Sequence, residues 1–191
     1  SARGVNPCGE IALESRELCN VVEAFPTKCA DEQTSLRALR LATLYASTVA
    51  LLPTHRPETN RVMTRNRRIG VSVSGVAEWR DEIGMAHMTR LLREGYKVVR
   101  GENTRLATEA GVPPSIRVTT VKPSGSISQV AGVSSGMHSP IYKYAVRRMR
   151  AGRQLPIVPV LKAAGYHWQP DPDEPEKTVV FPDWPWATYS P

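Results

Sequence analysis

The stretch RIGVSVSG, residues 68–75, anchors the fold prediction because Ile69, Val71 and Val73 alternate with small residues. Successive side chains on a strand point to opposite faces, so this alternation predicts a strand with one crowded face. A second strand is predicted at residues 117–121, where Val-Thr-Thr-Val leads into a glycine- and serine-rich loop. These two predicted strands lie in the chain between predicted helices, which indicates a mixed fold of helices and strands.

Apolar residues at helical spacing predict three helices, at residues 34–52, 85–100 and 103–110. The acidic turn Asp31-Glu32 can cap the first helix, and Pro53 ends it and opens a loop that extends to residue 60. Gly101 separates the second helix from the third. The remaining predictions are short extended pieces at residues 11–13 and 21–22, a helix or turn at 141–150, a strand at 178–181, and packing anchors at Trp168, Trp184 and Trp186.

Composition narrows the class of protein. The 191 residues are 41% hydrophobic, which excludes a disordered chain, and carry a net charge of +7. Basic residues gather in residues 56–68 and 147–153, and both clusters fit solvated faces as well as a polyanionic partner. Three cysteines are too few for a secreted disulfide scaffold, and no apolar run is long enough for a signal peptide or a membrane span. We therefore expect a reducing, cytoplasmic setting and no membrane partner.

The segment Asn6-Pro7-Cys8-Gly9-Glu10 carries the most chemistry. On an extended segment Asn6, Cys8 and Glu10 would face the same side, because side chains repeat every two residues. A carboxylate beside a thiol raises the pKa of the thiol, which disfavours a thiolate nucleophile. A neutral thiol that carries a radical meets no such objection and leaves the carboxylate free to act as a base. A buried structural cysteine fits the three residues equally well.

The loop Lys122-Pro123-Ser124-Gly125-Ser126 follows the second predicted strand, and the glycine- and serine-rich run continues to residue 138. Backbone N–H groups and hydroxyls of such a loop can converge on an anion. The loop lacks the spacing GxxxxGK[ST], so it does not predict a nucleoside triphosphatase. By residue chemistry alone it is also typical of a simple glycine-serine turn.

Several separated motifs together resemble the adenosylcobalamin-dependent (class II) ribonucleotide reductases. The resemblance covers residues 5–150 and is carried by Asn6-Pro7-Cys8-Gly9-Glu10-Ile11, Leu18-Cys19-Asn20 with Glu23 and Phe25-Pro26, Arg67-Arg68-Ile69-Gly70-Val71, Val121-Lys122-Pro123-Ser124-Gly125-Ser126 and Ala131-Gly132-Val133-Ser134-Ser135-Gly136. It implies an α/β fold, namely part of a ten-stranded α/β barrel with the active-site cysteine on an interior loop. Residues 1–150 would form the partial catalytic barrel, and residues 151–191 a proline-rich part of the same domain.

The resemblance also implies roles for individual residues. Cys8 is expected to carry the thiyl radical that removes the 3′-hydrogen of the ribose, Glu10 to take the 3′-hydroxyl proton, and Asn6 to bind the ribose hydroxyls. Cys19 matches one of the two thiols that reduce the substrate radical, and its family partner lies well upstream of the active-site segment. Ser124, Gly125 and Ser126 match the loop that holds the substrate's phosphates.

Further expectations follow from the same resemblance. The cofactor would be adenosylcobalamin, the reductant would be of the thioredoxin type, and no metal ligands are expected. The segment Met137-His138-Ser139-Pro140-Ile141-Tyr142 and the Arg147-Arg148-Met149-Arg150 run resemble the monomeric branch that uses ribonucleoside triphosphates. The chain is expected to be a fragment that needs the remainder of the reductase for activity. Cys29 is expected to be structural, no Cys8–Cys19 structural disulfide is expected, and His138 receives no catalytic role.

Other classes of protein stay open at this point. An iron-dependent class I large subunit usually has Asn-Leu-Cys where this chain has Asn6-Pro7-Cys8, and a glycyl-radical reductase would carry an Arg-Val-Cys-Gly-Tyr segment. A basic nucleic-acid-binding module would explain the charge, although no nucleic-acid partner is expected from the resemblance. A zinc site is disfavoured because the sequence contains no CxxC or HxxxH spacing.

Overall fold

The structure is a computed structural model that describes residues 2–140 and 144–187. It divides into two compact units, one within residues 1–139 and one within residues 140–190. In the first unit the elements are, in chain order, β1 (Gly4–Val5), β2 (Ala12–Leu13), β3 (Asn20–Ala24), a 3-10 turn (Pro26–Lys28), α1 (Glu32–Val49), α2 (Pro57–Asn66), β4 (Ile69–Val73), α3 (Val76–Ile83), α4 (Met85–Glu109) and α5 (Ile127–Ala131). In the second unit they are β5 (Tyr144–Gly152), α6 (Ile157–Ala163), β6 (Gln169–Pro170) and β7 (Thr178–Ala187).

Parallel strands form the centre of the first unit. β3 and β4 pair in parallel, from Asn20 opposite Ile69 to Ala24 opposite Val73. Residues 117–120 run alongside β4. The N–H of Val71 donates to the carbonyl of Val118 at 2.9 Å, and Val71 and Thr119 form a single parallel bridge. The strand predicted at residues 117–121 is therefore an extended segment with one bridge, while the strand predicted at residues 68–75 is confirmed.

Helices cover one face of these strands. Val71 and Ile69 of β4 and Ala24 of β3 are buried against Leu39 and Ala46 of α1, and Val99 of α4 completes the cluster. Apart from Val21, the opposite face carries small or polar residues, because side chains alternate along each strand. These residues are Cys19 just before β3, Glu23 in β3, Gly70 and Ser72 in β4, and Ser74 just after β4.

The predicted helix at residues 34–52 is confirmed as α1. The Asp31 side chain caps it by accepting the N–H of Thr34 at 2.7 Å, and the helix ends at Val49, before Pro53. Gly95 of α4 allows close packing of the two long helices, because a Cβ there would lie 2.6 Å from Cδ1 of Leu39.

Three predictions about where helices lie were wrong, and one helix was missed. The loop predicted at residues 53–60 gives way to α2 at Pro57, since proline suits the first turn of a helix. The break predicted at Gly101 does not occur: α4 is one helix of 25 residues, because buried Val99 and Asn103 on either side offset the roughly 1 kcal/mol that glycine costs in a helix. The predicted loop at residues 122–138 contains the short helix α5, and α3 was not predicted.

The second unit is a three-stranded sheet in the order β5-β7-β6, with all pairs antiparallel. Residues 141–150 were predicted as helix or turn. From Tyr144 onward the chain is instead a strand, because pairing with β7 satisfies its backbone groups, and Ile141–Lys143 lie outside the described residues. The strand predicted at 178–181 is confirmed within β7, where Val179 and Phe181 are buried with Val158 of α6.

Two of the tryptophan anchors lie in β7, and the side chains of Trp184 and Trp186 are outside the described part of the structure. Trp168 is 38% exposed and lies beneath the ammonium of Lys162, 3.1 Å from the ring centroid. The fold is thus a mixed α/β fold. Among the described residues the sheets contain two, two and three strands, and none closes into a barrel.

Candidate active site

Cys8 lies at the tip of a short hairpin. β1 and β2 pair antiparallel, and the N–H of Asn6 donates to the carbonyl of Ile11 at 3.0 Å to close the loop. Within it the N–H of Gly9 donates to the carbonyl of Asn6 at 2.9 Å, and Gly9 has a φ of +80°, which favours glycine. Cys8 therefore lies on a turn between Asn6 and Glu10, so the extended arrangement on which these three side chains would share one face is not the one that the segment adopts.

The side chains of this loop have different surroundings. The thiol of Cys8 is free and exposed, whereas Asn6 is half-buried and its Oδ1 accepts the N–H of Ile11 at 3.0 Å. Asn6 thus closes the loop, a use that its residue type allows but that the sequence analysis missed. Glu10 is half-buried, and its Oε2 is buried without a hydrogen-bond partner among the described residues.

Glu10 lies near the second candidate cysteine. The pKa of the Cys19 thiol is raised to about 11, chiefly by burial. The charge of Arg68 lowers this pKa, and the charges of Glu10 and Glu17 raise it. Cys19 is therefore a neutral thiol at neutral pH. The charge of Glu10, expected from the sequence to act on Cys8, therefore also acts on Cys19.

Gly70 makes the approach of these groups possible. A Cβ at Gly70 would lie 2.8 Å from Cγ2 of Thr120 and 3.5 Å from Sγ of Cys19. The hydroxyl of Thr120 in turn lies 3.5 Å from the carbonyl oxygen of Glu10. Glycine at this position therefore lets Cys19, Thr120 and the Cys8 hairpin pack beside one another.

A buried ion pair fixes the chain just before Cys19. Nε of Arg68 lies 2.9 Å from Oε1 of Glu17, whose side chain is fully buried, and the amide of Asn66 donates to the same oxygen at 2.9 Å. Burial raises the pKa of Glu17, but hydrogen bonds from the Glu14 N–H, Arg68 and Asn66 outweigh it, so the pKa is lowered overall. Arg68 belongs to the basic cluster at residues 56–68, so the interpretation of that cluster as a solvated face was wrong for this arginine.

The three residues of the predicted phosphate loop differ in exposure. Ser124 is buried with a φ of +54°, and its hydroxyl lies 3.4 Å from the carbonyl oxygen of Lys122. Gly125 and Ser126 are exposed and precede α5. Thr120 lies just ahead of this loop and contacts Glu10, so the loop begins near the hairpin that carries Cys8.

The described residues also limit other kinds of site. Among them no group of three or more His, Cys, Asp or Glu side chains is arranged to hold a metal ion. None of the helices in the described part of the chain combines the length and the hydropathy that crossing a lipid bilayer requires.

Comparison with known proteins connects this geometry to a family. The chain is 44% identical over 177 residues to an adenosylcobalamin-dependent ribonucleoside-triphosphate reductase of Euglena gracilis, a match that covers 93% of this chain and 24% of the relative. It is 35% identical over 194 residues to the reductase of the same description from Lactobacillus acidophilus, with 88% of this chain and 26% of the relative covered. The chain is homologous to a segment of the class II ribonucleotide reductases.

A solved structure supports the same relationship. The crystal structure of a B12-dependent (class II) ribonucleotide reductase matches with a TM-score of 0.80 and 30% identity, over 98% of this chain and 29% of the solved chain. No family model matches the chain. The chain spans about a quarter of the length of the curated relatives described above. The comparisons confirm the family resemblance inferred from the sequence motifs.

Two groups of residues at this site were not predicted. One is the Glu17–Arg68 pair with Asn66. The other is Glu23 of β3 with Ser72 of β4 and Ser74 just after β4, and the two serines accept the backbone N–H groups of Lys122 and Gly136. Sequence contained a weak signal for the second group only, since Ser72 and Ser74 are the small residues that alternate with the valines of β4.

Proposed function

We propose that this chain is the catalytic segment of a class II ribonucleotide reductase that converts ribonucleoside triphosphates to 2′-deoxyribonucleotides. The observation that carries the proposal is the exposed thiol of Cys8 on the hairpin that also holds Glu10, with neutral Cys19 within reach of the Glu10 charge. The names of the relatives support the reaction, the triphosphate substrate and the cofactor.

We place the segment in a ten-stranded α/β barrel with the Cys8 loop in its interior. Supporting this placement are the parallel strands, with helices on one face and small or polar residues on the other. Residues 1–150 and 151–191 would belong to the same barrel domain in the whole protein. The setting would be cytoplasmic, which suits a chemistry that needs reduced thiols.

The surroundings of Cys8 fit the approach of a large cofactor. The thiol is exposed, and a Cβ built on the neighbouring Gly9 would meet no atom within 4 Å. Adenosylcobalamin would supply the radical that converts the Cys8 thiol to a thiyl. No residue of this segment is assigned to holding the cobalamin, and those contacts would come from the remainder of the reductase.

The side chains of the segment then divide the reaction. The Cys8 thiyl removes the 3′-hydrogen atom of the ribose, and the Glu10 carboxylate takes the 3′-hydroxyl proton. Asn6 binds the ribose hydroxyls. The 2′-hydroxyl leaves as water, and Cys19 with an upstream cysteine supplies two electrons and two protons while closing to a disulfide. Cys8 returns its hydrogen atom to C3′, and a thioredoxin-type reductant restores the two thiols.

The neutral state of Cys19 suits this role. A thiol that must deliver both a proton and an electron acts from its protonated form, and the raised pKa of about 11 keeps Cys19 protonated at neutral pH. The substrate's phosphates would be held by Ser124, Gly125 and Ser126, with exposed Gly125 and Ser126 offering backbone N–H groups and a hydroxyl.

The test uses the full-length protein that contains this chain, with adenosylcobalamin, a ribonucleoside triphosphate and a dithiol reductant. Cys8→Ser is expected to reduce deoxyribonucleotide formation at least about 1,000-fold, because a serine hydroxyl does not form the radical. Cys29→Ser is the matched control, since Cys29 is a half-buried thiol whose Sγ donates to the carbonyl of Phe25 at 3.7 Å, away from the hairpin. Full activity of Cys8→Ser would refute the function.

The same experiment separates the nucleic-acid alternative. A basic nucleic-acid-binding module predicts salt-sensitive binding to DNA or RNA that Cys8→Ser leaves unchanged. Binding of that kind together with absent ribonucleotide reduction would favour the module over the reductase.

A further inference from the structure

The predicted phosphate loop belongs to a longer loop, residues 122–136, whose two ends meet. A Cβ at Gly136 would lie 2.9 Å from the carbonyl oxygen of Lys122, so the first and last residues of the loop are in contact. Gly136 has a φ of +57° and is buried. Only glycine meets both conditions without strain. We call these two ends, Lys122 and Gly136, the neck of the loop.

Two serines hold the neck, one at each end. Oγ of Ser72 accepts the N–H of Lys122 at 2.9 Å, and Oγ of Ser74 accepts the N–H of Gly136 at 2.9 Å. Ser72 is 2% exposed and Ser74 is fully buried, so neither hydroxyl can exchange these partners for bulk water. Both serines lie on the polar face at the carboxyl end of β4.

A single carboxylate oxygen receives both hydroxyls. Oε1 of Glu23, which lies opposite Ser72 in the register of β3 and β4, accepts from Ser72 at 3.2 Å and from Ser74 at 2.7 Å. A hydroxyl that donates to a carboxylate is polarised and becomes a better acceptor for the loop N–H. We propose that Glu23 is a positioning residue that fixes both ends of loop 122–136 through Ser72 and Ser74, and so sets the affinity of the loop for substrate phosphates.

This inference rests on the proposed function for what the loop binds, whereas the connection from Glu23 to the neck is seen directly in the structure. Glu23 is not the only anchor of the loop. The buried carboxylate of Glu78 accepts both the N–H and the hydroxyl of Ser134, two residues before Gly136. Loss of Glu23 should therefore loosen the neck while the loop keeps its path.

The experiment compares Glu23→Ala with Glu23→Gln in the full-length protein. Alanine removes the acceptor of both serine hydroxyls, so the KM for ribonucleoside triphosphate should rise roughly tenfold with kcat changed by less than about threefold. Glutamine keeps a carbonyl oxygen at the position of Oε1, so the KM of that variant should stay within about threefold of wild type. Ser35→Ala is the matched control, since the buried Ser35 hydroxyl donates to the carbonyl of Asp31 at 3.0 Å, at the start of α1.

A second measurement tests binding of the phosphates separately from the rest of the substrate. Inorganic tripolyphosphate should compete with substrate, and its inhibition constant should rise in Glu23→Ala by about the same factor as the KM. A merely structural role would lower the melting temperature and kcat and leave this inhibition constant unchanged, which would overturn the proposal. An unchanged KM with an unchanged inhibition constant would overturn it as well.

The single variants Ser72→Ala and Ser74→Ala cover the case in which Glu23→Ala does not fold. Each removes one end of the connection, and each should raise the KM about threefold. Unchanged KM in both would refute the proposal. Failure of the proposed function is recognised separately, because Cys8→Ser would then leave ribonucleotide reduction intact whatever the Glu23 variants do.

Discussion

The two loops that carry the proposed chemistry are built in opposite ways. The hairpin loop with Cys8 is closed by its own residues, through bonds between Asn6, Gly9 and Ile11. The loop at residues 122–136 is closed by residues distant in sequence, through the serines of the β4 region and Glu23. The difference indicates that the thiol loop owes its shape to local turn chemistry, whereas the predicted phosphate loop depends on the packed strands beneath it.

Two glycine substitutions give the largest expected contrast. Gly136→Ala combines a positive φ with a Cβ 2.9 Å from the backbone oxygen of Lys122, so opening of the neck should become easier by about 3 kcal/mol. Gly9→Ala has the same kind of backbone conformation in open space and should ease opening of the hairpin by about 1 kcal/mol.

Hydrogen exchange of the full-length protein measures both changes. In Gly136→Ala the backbone amides at positions 122 and 136 should exchange roughly 100-fold faster. The reason is that about 1.4 kcal/mol corresponds to a factor of ten, and the expected change is about 3 kcal/mol. In Gly9→Ala the amides of Gly9 and Ile11 should exchange several-fold faster. Equal increases in exchange rate in the two variants would contradict the distinction between a loop closed by its own residues and a loop closed by residues distant in sequence.

The side-chain anchors give a smaller contrast. Glu78→Ala leaves the buried N–H and hydroxyl of Ser134 without their acceptor and should destabilise the loop by about 2 kcal/mol. Asn6→Ala removes one bond to the N–H of Ile11 in a half-buried turn, where water can replace it, and should destabilise the hairpin by about 1 kcal/mol.

Hydrogen exchange of the Ser134 amide in Glu78→Ala and of the Ile11 amide in Asn6→Ala measures the two effects, with the wild-type full-length protein as reference. The order of the two effects matters more than their size. A larger loss at Ile11 than at Ser134 would indicate that the hairpin, too, is held by contacts from outside its own residues.

Cys19, which lies beside the hairpin, gives an effect that appears only at alkaline pH. Its pKa is raised from an ordinary value near 9 to about 11, so the unfolded chain loses the thiol proton first as pH rises. The stabilising contribution of the neutral thiol is therefore present below about pH 9 and is lost between pH 9 and pH 11. Denaturant unfolding at pH 8 and pH 10 should show this loss in wild type and a weaker pH dependence in Cys19→Ala. An identical pH dependence of the unfolding free energy in wild type and Cys19→Ala would contradict the raised pKa of Cys19.

Much of the secondary structure could be predicted because local patterns dominate it. The capped amphipathic helix α1 and the alternating residues of β4 were predicted correctly, since each pattern is contained within one element. The break at Gly101 was wrong because the packing of α4 on α1 outweighs the low helix propensity of one glycine. β5 was missed because its pairing partner, β7, lies about 30 residues further along the chain.

The candidate site divides in the same manner. Cys8, Glu10 and Cys19 were identified from motifs, since short strings of chemically unusual residues are visible without a structure. The exact turn that carries Cys8 was not predicted, because the hydrogen bonds of Asn6 and the positive φ of Gly9 are not visible in residue alternation. The contact of Glu10 with the surroundings of Cys19 depends on Gly70, a position whose importance appears only when Thr120 packs against it.

The sequence by itself therefore determined the candidate residues for the proposed chemistry, the principal helices and strands, and the resemblance to the reductase family, because each of these depends on neighbours in the chain or on short motifs. Only the tertiary structure decided that the charge of Glu10 acts on Cys19, that Arg68 is paired with buried Glu17, and that Glu23 is connected to both ends of loop 122–136 through Ser72 and Ser74. The physical reason is that the hydrogen bonds among these groups join residues roughly 50 to 60 positions apart, and the parallel packing of β3 and β4 is what brings such residues together.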